Sequence, residues 1–254
     1  MTELTQKVAL ITGSSRGIGA AIAKCFARHG AKVALHGRDV AALSAVRSEI
    51  EAAHGQVMQV AAPLTTFEDL EGLRRQVEER LGPIDILVAN AGKSYTRPNL
   101  ALEDITEDGW RASIEGNLSA TFLTLKSVLP GMKQRRAGSI ITISSAAARR
   151  PHPASPLPYA VAKAAIELLT QDVAAQAGPY NIRVNCIAPE TILTENNQRD
   201  IPAAQQVMLL ESHPLKRLGT PDDVANAALF LASDQASWIS GVILDVAGGS
   251  VLVR

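Results

Sequence analysis

The sequence contains only two cysteines, carries no net charge and has no long apolar run. Cys25 and Cys186 fall in a predicted helix and a predicted strand, so we expect two small core residues in the reducing cytoplasm rather than a disulfide. The 25 basic and 25 acidic residues balance, so nothing steers the whole molecule toward nucleic acid. The first residues lack the apolar core of a signal peptide, and no segment approaches membrane-spanning length. We therefore expect neither a nucleic-acid partner nor a membrane partner.

Strand and helix patterns alternate along the 254 residues, which are 46% hydrophobic and long enough to bury one large core. The predicted strands are 7–12, 31–36, one that starts at 56, 84–89, 139–143, 182–187 and 242–246. The predicted helices are 20–28, one that starts at 40, 67–81, 108–133, 158–177 and 221–231. This alternation predicts an α/β fold in a single domain, 1–254. Its core is a doubly wound parallel sheet of about seven strands with helices on both faces.

A glycine-rich turn joins the first predicted strand to the first predicted helix. Gly13 follows the strand, Gly17 and Gly19 open the helix, and Gly30 closes it. In this context Gly13 makes the tight turn, Gly17 lets a pyrophosphate approach the backbone, and Gly19 allows close helix packing, with the helix N-terminus facing the anion. The spacing is Gly-x-x-x-Gly-x-Gly rather than Gly-x-Gly-x-x-Gly, and a purely structural turn is the alternative interpretation.

Two arginines indicate which dinucleotide binds. An acidic residue at the end of the second predicted strand would bind a ribose 2′-hydroxyl and repel a 2′-phosphate. This chain has Gly37 and Arg38 there, and Arg16 lies in the glycine-rich turn. Two guanidiniums offer charge-assisted hydrogen bonds to a phosphate dianion. Asp39 could neutralise one of them, but it is better explained as the N-cap of the next helix. The sequence therefore favours NADP(H) over NAD(H).

A tyrosine and a lysine four residues apart form the candidate catalytic pair. Tyr159 and Lys163 lie in a predicted helix, where this spacing places both on one face. Held side by side, an ammonium stabilises a phenolate and lowers the pKa of the tyrosine, which can then donate and accept protons near neutrality. Most such pairs lie on solvated helix faces, so this pair indicates catalysis only together with other motifs.

The motifs together resemble the short-chain dehydrogenase/reductase family, in the branch made of one compact Rossmann-type domain, and are similar to those of 3-oxoacyl-acyl-carrier-protein reductases. They run in family order from residue 12 to residues 248–249, and jointly they are specific. The matching residues are Thr12, Gly13, Gly17, Gly19, Asn90, Ala91, Gly92, Asn117, Ser144, Ser145, Tyr159, Lys163, Val184, Asn185, Pro189, Thr194, Gly248 and Gly249.

The resemblance implies a catalytic set of four residues and no metal site. Tyr159 is the general acid in carbonyl reduction, and Lys163 lowers the pKa of Tyr159 and holds the nicotinamide ribose hydroxyls. Ser145 hydrogen-bonds the substrate oxygen, with Ser144 as the alternative if the register slips. Asn117 keeps a helix kinked around a water that relays protons. The expected activity is interconversion of a ketone and a secondary alcohol.

The resemblance also implies the cofactor site. Pro189, Ile192 and Thr194 are expected beside the nicotinamide and its carboxamide, and residues 90–92 on the adenosine ribose side. The full expected set is Gly13, Ser15, Arg16, Gly17, Ile18, Gly19, Arg38, Leu64, Asn90, Ala91, Gly92, Tyr159, Lys163, Pro189, Ile192 and Thr194.

Four positions depart from the family pattern. Pro63 replaces the aspartate that usually contacts the adenine, so an adenine contact depends on backbone groups near Leu64. Glu190 replaces a glycine and places a carboxylate close to the nicotinamide end. The segment 146–158 is one residue longer than the commonest form, and its prolines indicate a fixed loop. Ala247 replaces an aspartate, which is expected to affect the subunit contact more than the chemistry.

Residues 190–219 interrupt the alternation and, by resemblance, cover the substrate. Val207, Met208, Leu209 and Leu210 are expected to supply an apolar pocket wall or to pack onto the domain or a neighbouring subunit. The substrate is expected to be a free ketone or alcohol, with a 3-oxoacyl thioester on acyl carrier protein as the alternative.

Carrier recognition needs basic surface near the site mouth. Lys133, Arg135 and Arg136 are the candidates, whereas Tyr180 stands where those reductases commonly have a basic residue. A non-catalytic NADP(H)-sensing protein is an alternative of another class, and the intact serine, tyrosine and lysine set argues against it.

Apolar residues on more than one face of two long helices predict a homotetramer. These residues are Ile114, Leu118, Phe122, Ile166, Leu168 and Leu169, and the tail 249–254 is apolar as well. In the resembling family, the long helices pair across one two-fold axis, and the last strand with its tail meets its copy across another.

Overall fold

A seven-stranded parallel sheet forms the centre of the chain, as the sequence predicts. The computed structural model describes residues 3–151 and 155–251. The strands are β1 (Val8–Ile11), β2 (Lys32–Gly37), β3 (Gln56–Ala61), β4 (Ile86–Ala89), β5 (Gly138–Ile143), β6 (Ile182–Pro189) and β7 (Ile243–Val246). They stand in the order β3-β2-β1-β4-β5-β6-β7. The order reverses between β1 and β4, so a crevice opens there at the carboxyl ends of the strands.

Helices connect the strands. They are α1 (Gly17–Arg28), α2 (Val40–Ala52), α3 (Phe67–Leu81), α4 (Glu107–Ser113), α5 (Ala120–Arg135), α6 (Leu157–Ala177), α7 (Glu195–Asp200), α8 (Ala203–Ser212) and α9 (Pro221–Ala232). Short 3₁₀ turns lie at Leu102–Asp104, Ala146–Ala148, Gly178–Tyr180 and Asp234–Ala236. Among the described helices, none is long and apolar enough to cross a membrane.

The sheet buries an apolar layer on each face because successive strand residues point to opposite sides. Ala9 and Ile11 of β1 pack with α1, α2 and α9, whereas Val8 and Leu10 pack with α3, α5 and α6. Phe26 of α1 is fully buried in the first layer. The sheet is therefore covered on both faces, which fixes where its carboxyl edge opens.

The helix predicted over 108–133 is interrupted. A π-helical segment, Ile114–Ser119, separates α4 from α5. Asn117 lies inside this segment, and its side-chain amide donates to the Ser113 carbonyl at 2.9 Å and to the Lys93 carbonyl at 2.9 Å. A side chain that bonds to the helix backbone disturbs the regular hydrogen-bond ladder. Single π turns of this kind are frequent at functional sites.

Two smaller predictions are confirmed, and others lie outside the described residues. Asp39 is the N-cap of α2, accepting from the Ala42 amide at 3.0 Å. Cys25 and Cys186 are free and buried. A cytoplasmic location stays a prediction. The apolar tail beyond residue 251 and part of the proline-rich loop, 152–154, lie outside the described residues.

Candidate active site

The glycine-rich turn after β1 lies against the loop that follows β4. Gly13 and Gly17 have φ values of +66° and +56°, which favour glycine. A side chain at Gly13 would place its Cβ 2.9 Å from the Ala91 Cα atom. The Asn90 amide donates to the carbonyls of Thr12 and Gly13 at 2.9 and 3.0 Å. The turn is therefore fixed by the Asn90 side chain, and it has no room for a side chain at Gly13.

The N-terminus of α1 already binds an anionic group in this structure. The Gly17 amide donates to the Glu195 carboxylate at 3.2 Å, and α1 has no acidic residue in its first turn. A helix N-terminus stabilises negative charge because its first amides lack partners and its dipole is positive there. The carboxylate is a stand-in for a phosphate, and the residues present fit a dinucleotide pyrophosphate.

His36 holds the glycine-rich turn to β3, a role that sequence reasoning missed. Its Nδ1 atom accepts from the Gly13 amide at 3.4 Å, and Nε2 donates to the Ala62 carbonyl at 3.0 Å. Burial lowers the pKa of His36 to about 4, so the ring is neutral near pH 7. A polar residue ending an apolar strand beside a glycine turn was the signal available in the sequence. Leu64, two residues after Ala62, packs against the core.

The two arginines expected at a 2′-phosphate differ in their surroundings. Arg16 pairs with Asp39, so the neutralisation that the sequence left open does occur, although Asp39 is also the N-cap. Both side chains are about half exposed, and such exposed pairs contribute at most about 1 kcal/mol. Arg38 is exposed and makes no ion pair with any described residue. Arg38 is therefore the free guanidinium at the end of β2.

Tyr159, Ser145 and Lys163 lie together at the carboxyl end of β5. Burial raises the pKa of Tyr159, and a hydrogen bond with Ser145 offsets part of that rise. The Lys163 ammonium lies 5.6 Å from the centroid of the Tyr159 ring and donates to the Ile143 carbonyl at 2.8 Å. Burial lowers the pKa of Lys163 to about 8.

The lowering of the tyrosine pKa by the lysine stays a prediction, because burial sets the direction of the pKa of Tyr159 in this structure. The ammonium of Lys163 lies over the ring face of Tyr159 and is bonded elsewhere, and both groups lose water. Desolvation disfavours the charged form of each group, which moves the two pKa values in opposite directions. Burial thus leaves the proton on the phenol in this structure.

Asn117 faces the Lys163 ammonium across Gly92. Its Oδ1 atom is buried and has no hydrogen-bond partner among the described residues. A Cβ built on Gly92 would collide with that oxygen and lie 3.3 Å from the Lys163 ammonium. Gly92 therefore keeps open a gap between a free acceptor and a buried ammonium. Buried polar atoms of this kind are satisfied by water or by a ligand.

Ser144 and Ser145 have separate surroundings. Ser144 is buried, and its hydroxyl lies 2.9 Å from the Glu167 carboxylate and 3.1 Å from the Lys163 carbonyl. Ser145 faces Tyr159, with which it shares a hydrogen bond, and it also accepts a local bond from the Ala147 amide at 3.2 Å. The geometry therefore makes Ser145, rather than Ser144, the serine beside the tyrosine.

An ion-pair network behind these serines was not predicted. Arg149 bonds the Glu167 carboxylate at 2.8 Å and the Asp245 carboxylate at 3.0 Å. It ties the loop after β5 to α6 and β7, and all three side chains are mostly buried. Arg149 and Asp245 are 96 residues apart in sequence, so no local pattern predicts the pair.

The segment 190–219 crosses the carboxyl edge of the sheet and folds into α7 and α8. Ile192 is buried and forms a parallel bridge with Gly219. The Thr194 methyl lies 3.1 Å from the Cβ position of Gly17, which places this segment over the glycine-rich turn. Met208 of α8 is 70% exposed. Its side chain therefore does not close an apolar wall within this chain.

The basic residues proposed for carrier docking do not line this chain's site. Lys133 and Arg135 end α5, which leads to the start of β5, whereas the site lies at the opposite, carboxyl edge. Lys133 and Arg136 instead pack over the Tyr180 ring, 4.9 and 5.8 Å from its centroid. The expectation that these residues surround the site mouth is therefore wrong within a single chain.

Three features together define a dinucleotide-dependent oxidoreductase. They are the doubly wound sheet, the glycine-rich turn where the strand order reverses between β1 and β4, and the cluster of serine, tyrosine and lysine. The family model described as enoyl-(acyl carrier protein) reductase matches residues 13–250. 7α-Hydroxysteroid dehydrogenase of Escherichia coli is 39% identical, covering 98% of this chain and 95% of that protein. 3-Oxoacyl-[acyl-carrier-protein] reductase FabG of Chlamydia muridarum is 37% identical, covering 97% and 98%.

A solved structure of 7α-hydroxysteroid dehydrogenase in complex with NADH and 7-oxo glycochenodeoxycholic acid superposes with a TM-score of 0.92. It is 38% identical and covers 98% of this chain and 96% of that one. The chain belongs to the short-chain dehydrogenase/reductase family, and it is an oxidoreductase with a nicotinamide cofactor.

Proposed function

We propose that this protein interconverts a ketone and a secondary alcohol with NADP(H). The observation that carries the proposal is the cluster in which Ser145 bonds the Tyr159 phenol while Lys163 and the unpartnered Asn117 oxygen face the same gap. When bound, the nicotinamide supplies the hydride for the carbonyl carbon. Residues 1–254 act as one domain in this proposal, with 190–219 as the segment that covers the substrate.

The residues of the cluster handle the proton and the substrate oxygen. Tyr159 holds its proton near pH 7 because burial raises its pKa, and it donates that proton to the developing alkoxide. Ser145 hydrogen-bonds the same oxygen. Lys163 lies beside the phenol and supplies positive charge when Tyr159 has lost its proton. Asn117 accepts a hydrogen bond from a water that returns protons from solvent, since its Oδ1 atom is free.

The cofactor is held by residues at the carboxyl ends of the strands, around the crevice between β1 and β4. Gly13, Ser15, Gly17, Ile18 and Gly19 form the pyrophosphate turn. Asn90, Ala91, Gly92 and Leu64 hold the adenosine side, and Pro189, Ile192 and Thr194 the nicotinamide side. The preference for NADP(H) rests on Arg38, which is exposed and unpaired among described residues, with Arg16 available once Asp39 is displaced.

A panel of ketones and alcohols with NADPH or NADP⁺, followed by absorbance, tests this function. We expect cofactor turnover with at least one class of free ketone. Turnover only with 3-oxoacyl thioesters on acyl carrier protein would favour the alternative that the FabG relative suggests. NADPH binding without turnover across the whole panel would contradict the proposal and favour a sensing protein.

We further propose a homotetramer, because large apolar side chains stay exposed on two separate surfaces. Leu168 on α6 is 62% exposed, and Trp238 before β7 is 99% exposed. Large apolar side chains that stay exposed are typical of interfaces when they form a contiguous patch. Light scattering at low micromolar concentration should give four chains per particle. Trp238→Ser should leave dimers joined through the helices, with Phe67→Ser as an exposed aromatic control. A monomeric wild-type protein would contradict the assembly.

A further inference from the structure

Glu190 is the first residue beyond β6 and faces a cavity beside the proposed active site. The cavity has a volume of about 300 Å³ and is bounded by the segment 190–219 and the turn after β7. Ile192, Leu215 and Val246 give it aliphatic walls. Pockets of this size and composition hold small organic ligands.

Residues that line the cavity neighbour the proposed reacting groups in two places. Glu190 follows Pro189, which the proposed function places beside the nicotinamide. On the other side, the cavity wall residue Ala247 packs with Ala146, the neighbour of Ser145. The cavity therefore borders residues that flank both the proposed nicotinamide site and Ser145, and we place there the part of the substrate beyond its carbonyl.

The charge around the cavity is negative, and one carboxylate is not neutralised. The Arg217 guanidinium donates to the Asp223 carboxylate in two contacts of 2.7 Å. Arg149 forms ion pairs with both Asp245 and Glu167. Among the described residues, the Glu190 carboxylate accepts from the Thr191 hydroxyl alone, at 3.3 Å. It has no cationic partner among the residues that the structure describes.

We infer that the substrate carries an ammonium group, which binds in this cavity against Glu190. The inference rests on the proposed function and names the substrate class of that same site. A carboxylate without a countercharge attracts a cation, and a cation that also has alkyl groups can bury them on the aliphatic walls. A metal ion would need several oxygen ligands, whereas one unpaired carboxylate suits an organic cation.

The test uses two ketones of equal shape that differ in charge. They are 5-(trimethylammonio)pentan-2-one and its neutral analogue 6,6-dimethylheptan-2-one. Their affinities are measured by calorimetry on the full-length protein saturated with NADP⁺, a complex in which neither ketone can be reduced. We expect the wild-type protein to bind the cationic ketone about tenfold more tightly, as one partly buried charge contact predicts.

Glu190→Gln should abolish that preference, and Glu190→Gly should do the same if the glutamine variant folds poorly. Glu79→Gln, which removes an exposed charge from α3, should keep it. Equal affinities in the wild type, or a preference that survives in both Glu190 variants, would overturn the inference. NADPH oxidation with the same ketones reports separately on the proposed function. A charge preference without any turnover would contradict that function alone.

Discussion

Tyr159→Phe should remove carbonyl reduction while NADPH affinity stays within roughly twofold, because the phenol acts mainly in the transition state. The lost step is proton donation to the alkoxide, so the turnover number should fall on the order of 10²- to 10⁴-fold. Stopped-flow or steady-state NADPH oxidation measures the rate, and cofactor fluorescence measures the affinity.

Two further variants test whether the loss of turnover is specific to the Tyr159 hydroxyl. Tyr180→Phe removes the same hydroxyl at the opposite edge of the sheet and should leave turnover unchanged. Lys163→Ala should lower both turnover and NADPH affinity, because the family resemblance implies that this buried ammonium holds the nicotinamide ribose hydroxyls as well as lying beside the phenol. Wild-type turnover in the phenylalanine variant would show that another group is the acid.

Arg38→Asp should reverse the cofactor preference from NADPH to NADH. One bidentate phosphate contact is lost and a repulsion is added, which amounts to roughly 2 to 4 kcal/mol, or about 30- to 1000-fold in the affinity ratio. Fluorescence titration of both cofactors measures the ratio. Arg80→Asp changes the charge equally on an exposed site of α3 and should leave the ratio unchanged. Equal affinities in the wild-type protein would contradict the preference.

The sequence predicted the parts of this molecule that local patterns encode. Alternating apolar runs and amphipathic helices gave the parallel sheet, and α3 was predicted at Phe67–Leu81, the bounds observed. The glycine turn followed from its place between a strand and a helix. The tyrosine, serine and lysine set came from motif order, because residues at the ends of different strands meet only in the folded chain.

Contacts between distant residues were the parts that the sequence could not predict. The pairing of Arg16 with Asp39 needs the two loops at their final separation, since a helix cap alone does not reveal a second partner. The pKa directions of Tyr159 and Lys163 depend on how much water each loses, which spacing does not give. The basic end of α5 was misplaced because its distance from the site depends on which sheet edge it meets.

The π-helical segment Ile114–Ser119 also determines which changes in chain length the site tolerates. A π turn contains one residue more than a regular α-helical turn. Deleting one residue within the segment would therefore let the ladder close as a regular helix, with α4 and α5 keeping their mutual orientation. Asn117 would then leave the gap beside Gly92 and Lys163. Substitutions on the exposed face of α5 keep this π turn and the position of Asn117, whereas a single deletion between 114 and 119 removes the turn while the helix itself persists.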